Sequence, residues 1–241
     1  YPDYTICGEV VGPGSPYNTE SIPYIKDDVR LFVFDVINEK GIFLSTEDKY
    51  KILEAFDIEQ VRHWGDFTEK DIEKIKGIIL ELDRNNREGI VIKPADTGKN
   101  LKYVTLSSCL RDLEATAHLI TELPSGFFIQ RVLRAVFFCN EFGIDLDEKY
   151  LLKFARAMYL IPKETLEKIQ RGNSVTEIFN IKIKNKETIN WLIEHLNRAG
   201  IRTQLISVEK SGDYYKAKFQ RLYLRGSREL KQRLMGKGFF D

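Results

Sequence analysis

The hydrophobic period of this chain changes twice, and the two changes limit what it can fold into. Up to Val104 the apolar residues come mainly in short β-branched and aromatic runs, as in Thr5-Ile6-Cys7-Gly8-Glu9-Val10-Val11 and Val29-Arg30-Leu31-Phe32-Val33-Phe34-Asp35-Val36. Such runs read as strands, the second with Phe32 and Phe34 on one face and Leu31, Val33 and Asp35 on the other. From Leu106 the spacing lengthens to about 3.6, as at Phe128, Val132, Ala135 and Val136, and helices are expected at about 107–122, 126–141, 147–158 and 162–170. After Gly172-Asn173-Ser174 the strands return. A strand over 175–184, a helix over 186–198, strands over 202–209 and 214–224 and a last helix from about Ser227 make a β-α-β-β-α module. The expectation is an α+β chain in three parts: a strand-rich part at 1–105, a helical part at 106–172 and a small α/β part at 173–241.

Helix signals also occur within the first part. Ser45 is placed to cap a helix running to Phe56, and Thr68-Glu69-Lys70-Asp71 has the capping-box pattern before a helix to about Leu82. Asn38 to Gly41 reads as a hairpin turn. In the helical part, Phe127, Phe128, Phe137 and Phe138 make one helix apolar around much of its girth, so it must be buried on more than one side. A second subunit or a four-helix cluster would each do that.

Several classes of protein are excluded or made less attractive. Cys7, Cys109 and Cys139 lie far apart with no histidine at ligand spacing, so buried free thiols are expected rather than a zinc site or disulfides. No run of eighteen apolar residues and no signal-like start occurs, which predicts a soluble, cytoplasmic protein with no membrane partner. The chain starts at Tyr1 within structured-looking sequence, so a trimmed or partial chain is expected. Residues 1–100 hold 13 Lys and Arg against 20 Asp and Glu, whereas residues 201–241 hold 10 against 4. Carboxylates in the first part can hold a divalent cation, and a basic end with interleaved aromatics suits a polyanion or is simply a solvated helix face.

The chemistry-bearing stretch is Arg87-Glu88-Gly89-Ile90-Val91-Ile92-Lys93, a turn feeding a strand that delivers a cation at its far end. Taken alone it is equally a core strand with two solvated ends. Lys102 follows nine residues after Lys93. Glu9, flanked by apolar residues, must either point out of its sheet or be employed. In a regular strand Glu88 and Lys93 face opposite ways, so both reach one pocket only if the Gly89 turn redirects Glu88.

In this order, Gly8-Glu9-Val10-Val11-Gly12, Phe32-Val33-Phe34-Asp35-Val36 and Glu88-Gly89-Ile90-Val91-Ile92-Lys93 resemble three motifs of the covalent nucleotidyltransferases, the superfamily of ATP-dependent polynucleotide ligases and RNA capping enzymes. The longer run Gly8 to Pro13 with Pro16-Tyr17, and Leu101-Lys102-Tyr103-Val104, look most like the archaeal homodimeric ATP-dependent RNA ligases. The resemblance implies the remainder of a nucleotidyltransferase domain, ATP-grasp-like antiparallel β, then a helical dimerisation domain and a small C-terminal domain. It implies ATP and Mg²⁺ as cofactors, and RNA and a second copy of the chain as partners. Phe34 would stack on adenine and Glu9 would accept from the ribose hydroxyl, while Asp35 and Glu88 would serve Mg²⁺. Lys93 and Lys102 would sit on the α-phosphate and act in catalysis.

The superfamily's nucleophile is a lysine in Lys-x-Asp-Gly, and that motif does not occur in these 241 residues. The resemblance therefore implies an RNA ligase that seals 5′-phosphate to 3′-hydroxyl through lysyl-AMP and adenylylated RNA, of which this chain lacks the nucleophile and is inactive in self-adenylylation by itself. The family's last motif usually has two lysines one residue apart; here Lys102 is one and Lys99 a substitute for the other. Two alternatives stand beside this reading. One is a non-catalytic nucleic-acid-binding or dimerisation module, for which Lys216, Lys218, Arg221, Arg225, Arg228, Lys231 and Arg233 among Tyr214, Tyr215, Phe219 and Tyr223 offer an RNA surface. The other is a DNA ligase or capping enzyme with the same pocket chemistry.

Overall fold

The computed structural model describes residues 3–12, 24–26, 29–94 and 100–237. The chain gathers into two compact units. One comprises Tyr1–Asp66, Phe179–Trp191 and Leu205–Phe219, and the other Phe67–Ile178, Leu192–Gln204 and Gln220–Asp241.

The first unit opens with strands β1 (Thr5–Val11) and β2 (Arg30–Ile37), paired antiparallel. The turn after β2 forms where Asn38-Glu39-Lys40-Gly41 predicts it, because the Asn38 side-chain oxygen accepts from the N–H groups of Lys40 and Ile42, each at 3.0 Å. Ser45 then caps α1 (Thr46–Ala55) by accepting from the Asp48 N–H at 3.1 Å. Val33, Val36 and Leu53 form a core with Tyr4, Leu44 and Ile58 packed around it. Residues 59–61 run beside β2, with a parallel bridge between Gln60 and Val33.

In the second unit, Thr68 and Asp71 make the expected capping box at a short 3₁₀ turn, and α2 (Ile72–Arg84) follows. The hairpin of β3 (Gly89–Ile92) and β4 (Leu101–Val104) leads directly into α3 (Leu106–Thr116). Next come α4 (Ser125–Phe142), ended by Gly143 in the left-handed region at φ 60°, and α5 (Glu148–Ala155). The two helices expected at 147–158 and 162–170 are continuous, since a π-helical turn at Arg156–Leu160 joins α5 to α6 (Ile161–Gln170). Pro162 has no N–H and crowds the carbonyl four residues before it, and a widened turn at that point lets the helix run on. Ile79, Leu106, Cys109, Leu110, Ala135 and Phe138 form the main core here. Ile90, Tyr103 and Val104 of the hairpin pack against it. Cys109 is 1% exposed, and burial pushes its thiol up to about 11, as expected of an inert core cysteine.

The α/β module follows its predicted order: β5 (Val175–Ile183), α7 (Lys186–Arg198), β6 (Thr203–Ser211), β7 (Tyr214–Tyr223) and α8 (Leu224–Leu234). Its sheet has the order β5-β7-β6. Within the second unit, Val175 and Tyr223 share a core cluster with Leu119 and Ile169, and the Tyr223 hydroxyl donates to Glu177 at 2.7 Å. Among the described residues no helix is long and apolar enough to cross a membrane.

Candidate functional site

The β1–β2 ladder is not regular. Its register passes from Cys7–Asp35 to Gly8–Val33 and skips Phe34, which makes Phe34 the extra residue of a β-bulge. The expected alternation fails at that point: Val33 and Val36, three residues apart, are both buried, while Phe34 is 40% exposed. A strand of strict period two cannot bury two residues at odd separation; one inserted residue allows it. Gly8 stands opposite the bulge, and a Cβ there would lie 2.8 Å from the Phe32 carbonyl oxygen. Glu9 is paired with Phe32 and is exposed, and Asp35 is half-buried. Phe32 is half-buried too, with the Arg30 guanidinium 5.4 Å from its ring centroid. Of the two phenylalanines, Phe34 is the more exposed.

One residue that the sequence reading did not single out lies against this bulge. Lys49 of α1 is only 7% exposed, and its Nζ donates to the Phe34 carbonyl at 3.0 Å. Its signal in the sequence is positional: Lys49 is one turn before the fully buried Leu53 and so falls on the core face of its helix.

The β3–β4 hairpin is held from beneath. Thr105, fully buried, donates its hydroxyl to the Arg87 carbonyl at 2.6 Å and its N–H to the Glu88 carbonyl at 2.8 Å. The buried Asp83 carboxylate accepts from the Ser107 N–H at 2.7 Å, which serves the first turn of α3. Arg111 donates to the Asn86 carbonyl at 3.0 Å. Gly89 adopts φ 149°, and a Cβ on it would lie 1.9 Å from the Tyr103 carbonyl oxygen. That conformation and that approach admit only glycine.

The glycine turn decides where Glu88 goes. Val91 is opposite Lys102, so by alternation the strand alone would turn Glu88 to the other face; past the Gly89 turn the Glu88 carboxylate instead forms an ion pair with Lys102. Both side chains remain more than half exposed, at 52% and 58%, and so are open to a ligand. Lys93, two residues beyond Val91, is exposed just past the end of β3. Lys99 lies outside the described residues. On the far side of β4, the Tyr103 hydroxyl donates to Glu141 of α4 at 2.5 Å, and its ring lies edge-on to Phe142 at 6.3 Å. Burial and then that carboxylate hold the phenol well above its usual pKa.

The six expected site residues thus fall into two sets. Glu9, Phe34 and Asp35 stand on one ladder, in the first unit, whereas Glu88, Lys93 and Lys102 stand on one hairpin, in the second. Among the described residues no group of three or more His, Cys, Asp or Glu is gathered as a metal cage.

The basic C-terminal stretch is less aromatic at its surface than its sequence implies. Phe219 and Tyr223 are 1% and 8% exposed, and Phe219 stacks on Phe179 at 5.2 Å, so both belong to the core. In the sequence they stand among Lys216, Lys218 and Arg221, a mixture that by itself does not distinguish core positions from an interleaved binding surface. Arg225, Arg228, Lys231 and Arg233 of α8 are exposed.

Comparison with known proteins bears on both sets. Residues 1–104 match the family described as RNA ligase, and residues 115–237 match the family described as Ligase Pab1020 C-terminal region. The protein MJ0414 of Methanocaldococcus jannaschii, named as uncharacterized, is 26% identical over 219 residues, which are 87% of this chain and 55% of that protein. The chain thus spans about half the length of that curated relative. Among solved structures, a putative ATP-dependent DNA ligase from Aquifex aeolicus aligns with a TM-score of 0.86 at 33% identity, covering 99% of this chain and 67% of that one. An archaeal ATP-dependent RNA ligase, in its form 2, aligns with a TM-score of 0.87 at 24% identity over 99% of this chain and 64% of its own, a likeness of fold.

Proposed function

This chain belongs to the Pab1020 ligase family, and from that membership we propose that it provides the nucleotide and phosphate contacts of an ATP-dependent polynucleotide ligase acting on RNA. The observation that carries the reading is the Glu88–Lys102 pair, a carboxylate and an ammonium brought together on an open hairpin by a glycine that nothing else can replace. The match of residues 1–104 to the RNA ligase family favours RNA over DNA as the strand that is sealed.

In this proposal Phe34 offers its exposed ring to adenine, and Glu9 accepts a hydrogen bond from a ribose hydroxyl. Lys93 and Lys102 bind the α-phosphate and stabilise the negative charge that grows on it during transfer. Asp35 on the ladder and Glu88 on the hairpin are the carboxylates that would serve magnesium, which when bound would draw charge from the phosphates. A lysine amine on a segment outside these 241 residues attacks the α-phosphorus, forming a P–N bond as the bond to pyrophosphate breaks. AMP then passes to an RNA 5′-phosphate, and a 3′-hydroxyl displaces it to seal the strand. The nucleotidyltransferase part at 1–105, helical part at 106–172 and α/β part at 173–241 remain the domain proposal.

Two partner surfaces belong to the same reading. Ile129, Leu133, Val136 and Phe137 form an exposed apolar stripe on α4, whose opposite side is buried through Phe128, Ala135 and Phe138. That stripe supports a homodimer through the helical part, which sedimentation equilibrium tests; a monomer at micromolar concentration excludes it. The exposed arginines and lysine of α8 support an RNA contact whose affinity falls steeply with salt.

The central test is label transfer from ATP carrying a labelled α-phosphate, in the presence of magnesium. The chain alone should take up no label, and addition of a polypeptide bearing the Lys-x-Asp-Gly lysine should give a labelled product. Glu88→Ala or Lys102→Ala should each lower that labelling by about 100-fold. Label on this chain by itself overturns the absent nucleophile. Absence of label in both conditions overturns the ligase reading in favour of a binding module.

A further inference from the structure

A bulge presents a side chain away from the regular faces of a sheet, but the added residue is only as well fixed as the groups that hold its peptide. At the β1–β2 bulge those groups are on the page. The Val33 peptide is fixed on the outside by residues 59–61, since its N–H donates to the Glu59 carbonyl and its carbonyl accepts from the Val61 N–H, each at 3.0 Å. The next carbonyl, that of Phe34, is held by Lys49 Nζ. Lys49 as a residue is 7% exposed, so its amine needs acceptors within the fold, and the Phe34 carbonyl is one. The bond is charge-assisted and therefore stronger than an amide would give. The Nζ is also 5.1 Å from the centroid of the Tyr50 ring, and the Tyr50 hydroxyl donates to the Val61 carbonyl at 3.3 Å. Lys49, Tyr50 and residues 59–61 thus form one brace along the bulge.

We propose that Lys49 is the positioning residue for the Phe34 ring, and that it sets base affinity by fixing the Phe34 peptide without touching the nucleotide itself. The inference rests on the reading of Phe34 as the adenine platform. It distinguishes Lys49 from Lys93 and Lys102: Lys49 is assigned to base affinity, and the two exposed lysines to phosphate binding.

The test is calorimetric titration of the full chain with ATP and, separately, with inorganic tripolyphosphate, which has the phosphates and no base. Lys49→Met should weaken ATP binding about tenfold and leave tripolyphosphate binding within about twofold, and Lys49→Arg, which keeps the charge and a donor, should restore most of the loss. In a Phe34→Ala background Lys49→Met should cost nothing further, because a residue acting through Phe34 has nothing left to act on. If Lys49→Met is unfolded at the titration temperature, Lys49→Gln takes its place. Equal losses for ATP and tripolyphosphate, or additive losses in the double variant, overturn the positioning role. Weakening by Phe34→Ala with no effect of Lys49→Met overturns this inference alone, whereas ATP binding that is absent or indifferent to Phe34→Ala overturns the adenine platform and the inference with it.

Discussion

The β1–β2 ladder and the β3–β4 hairpin each present three of the six residues assigned to the site, yet they are supported in different ways. The ladder has strands of seven and eight residues and rests on the core of Val33, Val36 and Leu53. The hairpin has four residues in each strand but is packed through Ile90, Tyr103 and Val104 against the helical core around Leu106, Leu110 and Phe138. Short strands with little pairing of their own are marginal unless something packs beneath them. The longer ladder instead tolerates a bulge, and the bulge is what exposes Phe34. A rigid support suits two charged groups that must keep a fixed separation. Under the proposed roles, a bulge suits a ring that is to meet the face of a flat ligand.

Core truncation should separate the two regions most strongly. Phe138→Ala is expected to cost about 4 kcal/mol and to remove amide-exchange protection from β3 and β4, while Leu53→Ala is expected to cost about 3 kcal/mol and to deprotect β1 and β2. Loss of hairpin protection in Leu53→Ala would show that the two supports are not independent. Next in size are the glycines. Gly89→Ala, with both a clash and an unfavourable φ, should destabilise by about 3 kcal/mol, and Gly8→Ala, with a milder approach, by about 1.5 kcal/mol, as read by denaturant unfolding.

A smaller effect is expected where the turn before β3 meets α3. Thr105→Val removes the hydroxyl that bonds the Arg87 carbonyl in a buried setting, and should cost about 1–2 kcal/mol. It should also lower label transfer without altering the affinity for adenosine, if the hairpin serves phosphate chemistry alone. The smallest effect is one of pH. Burial lowers the pKa of His118, in the short 3₁₀ turn after α3, below its usual 6.5. The unfolded chain therefore takes up a proton before the folded one does, and stability falls as pH drops below about 6.5. Thermal midpoints measured from pH 7.5 to 5.5 should show that slope, and His118→Gln should reduce it; an unchanged slope would assign the acid sensitivity to other groups.

Much of the architecture was legible locally. Ser45, the Thr68–Asp71 box and Gly143 mark helix ends by side-chain and backbone chemistry that works within one turn, and the strand and helix order of the C-terminal module follows from hydrophobic period alone. The resemblance to ligases in the first 104 residues was equally local, since each motif is a short run on one element. Less legible were the features that depend on a partner far along the chain. The continuity of α5 and α6 hides behind Pro162, a residue that usually ends a helix. The burial of Phe219 and Tyr223 hides behind the basic residues that stand among them in the sequence.

The sequence by itself determined the mixed helix-and-strand composition and the order of elements, because these rest on period and capping. Only the tertiary structure decided that Phe34 stands on a bulge, that Lys49 is buried against its carbonyl, and that the turn at Gly89 brings Glu88 to Lys102. Each of those three depends on the register between strands or on a contact between separate elements, and neither is encoded within the short window over which hydrophobic pattern and turn chemistry act.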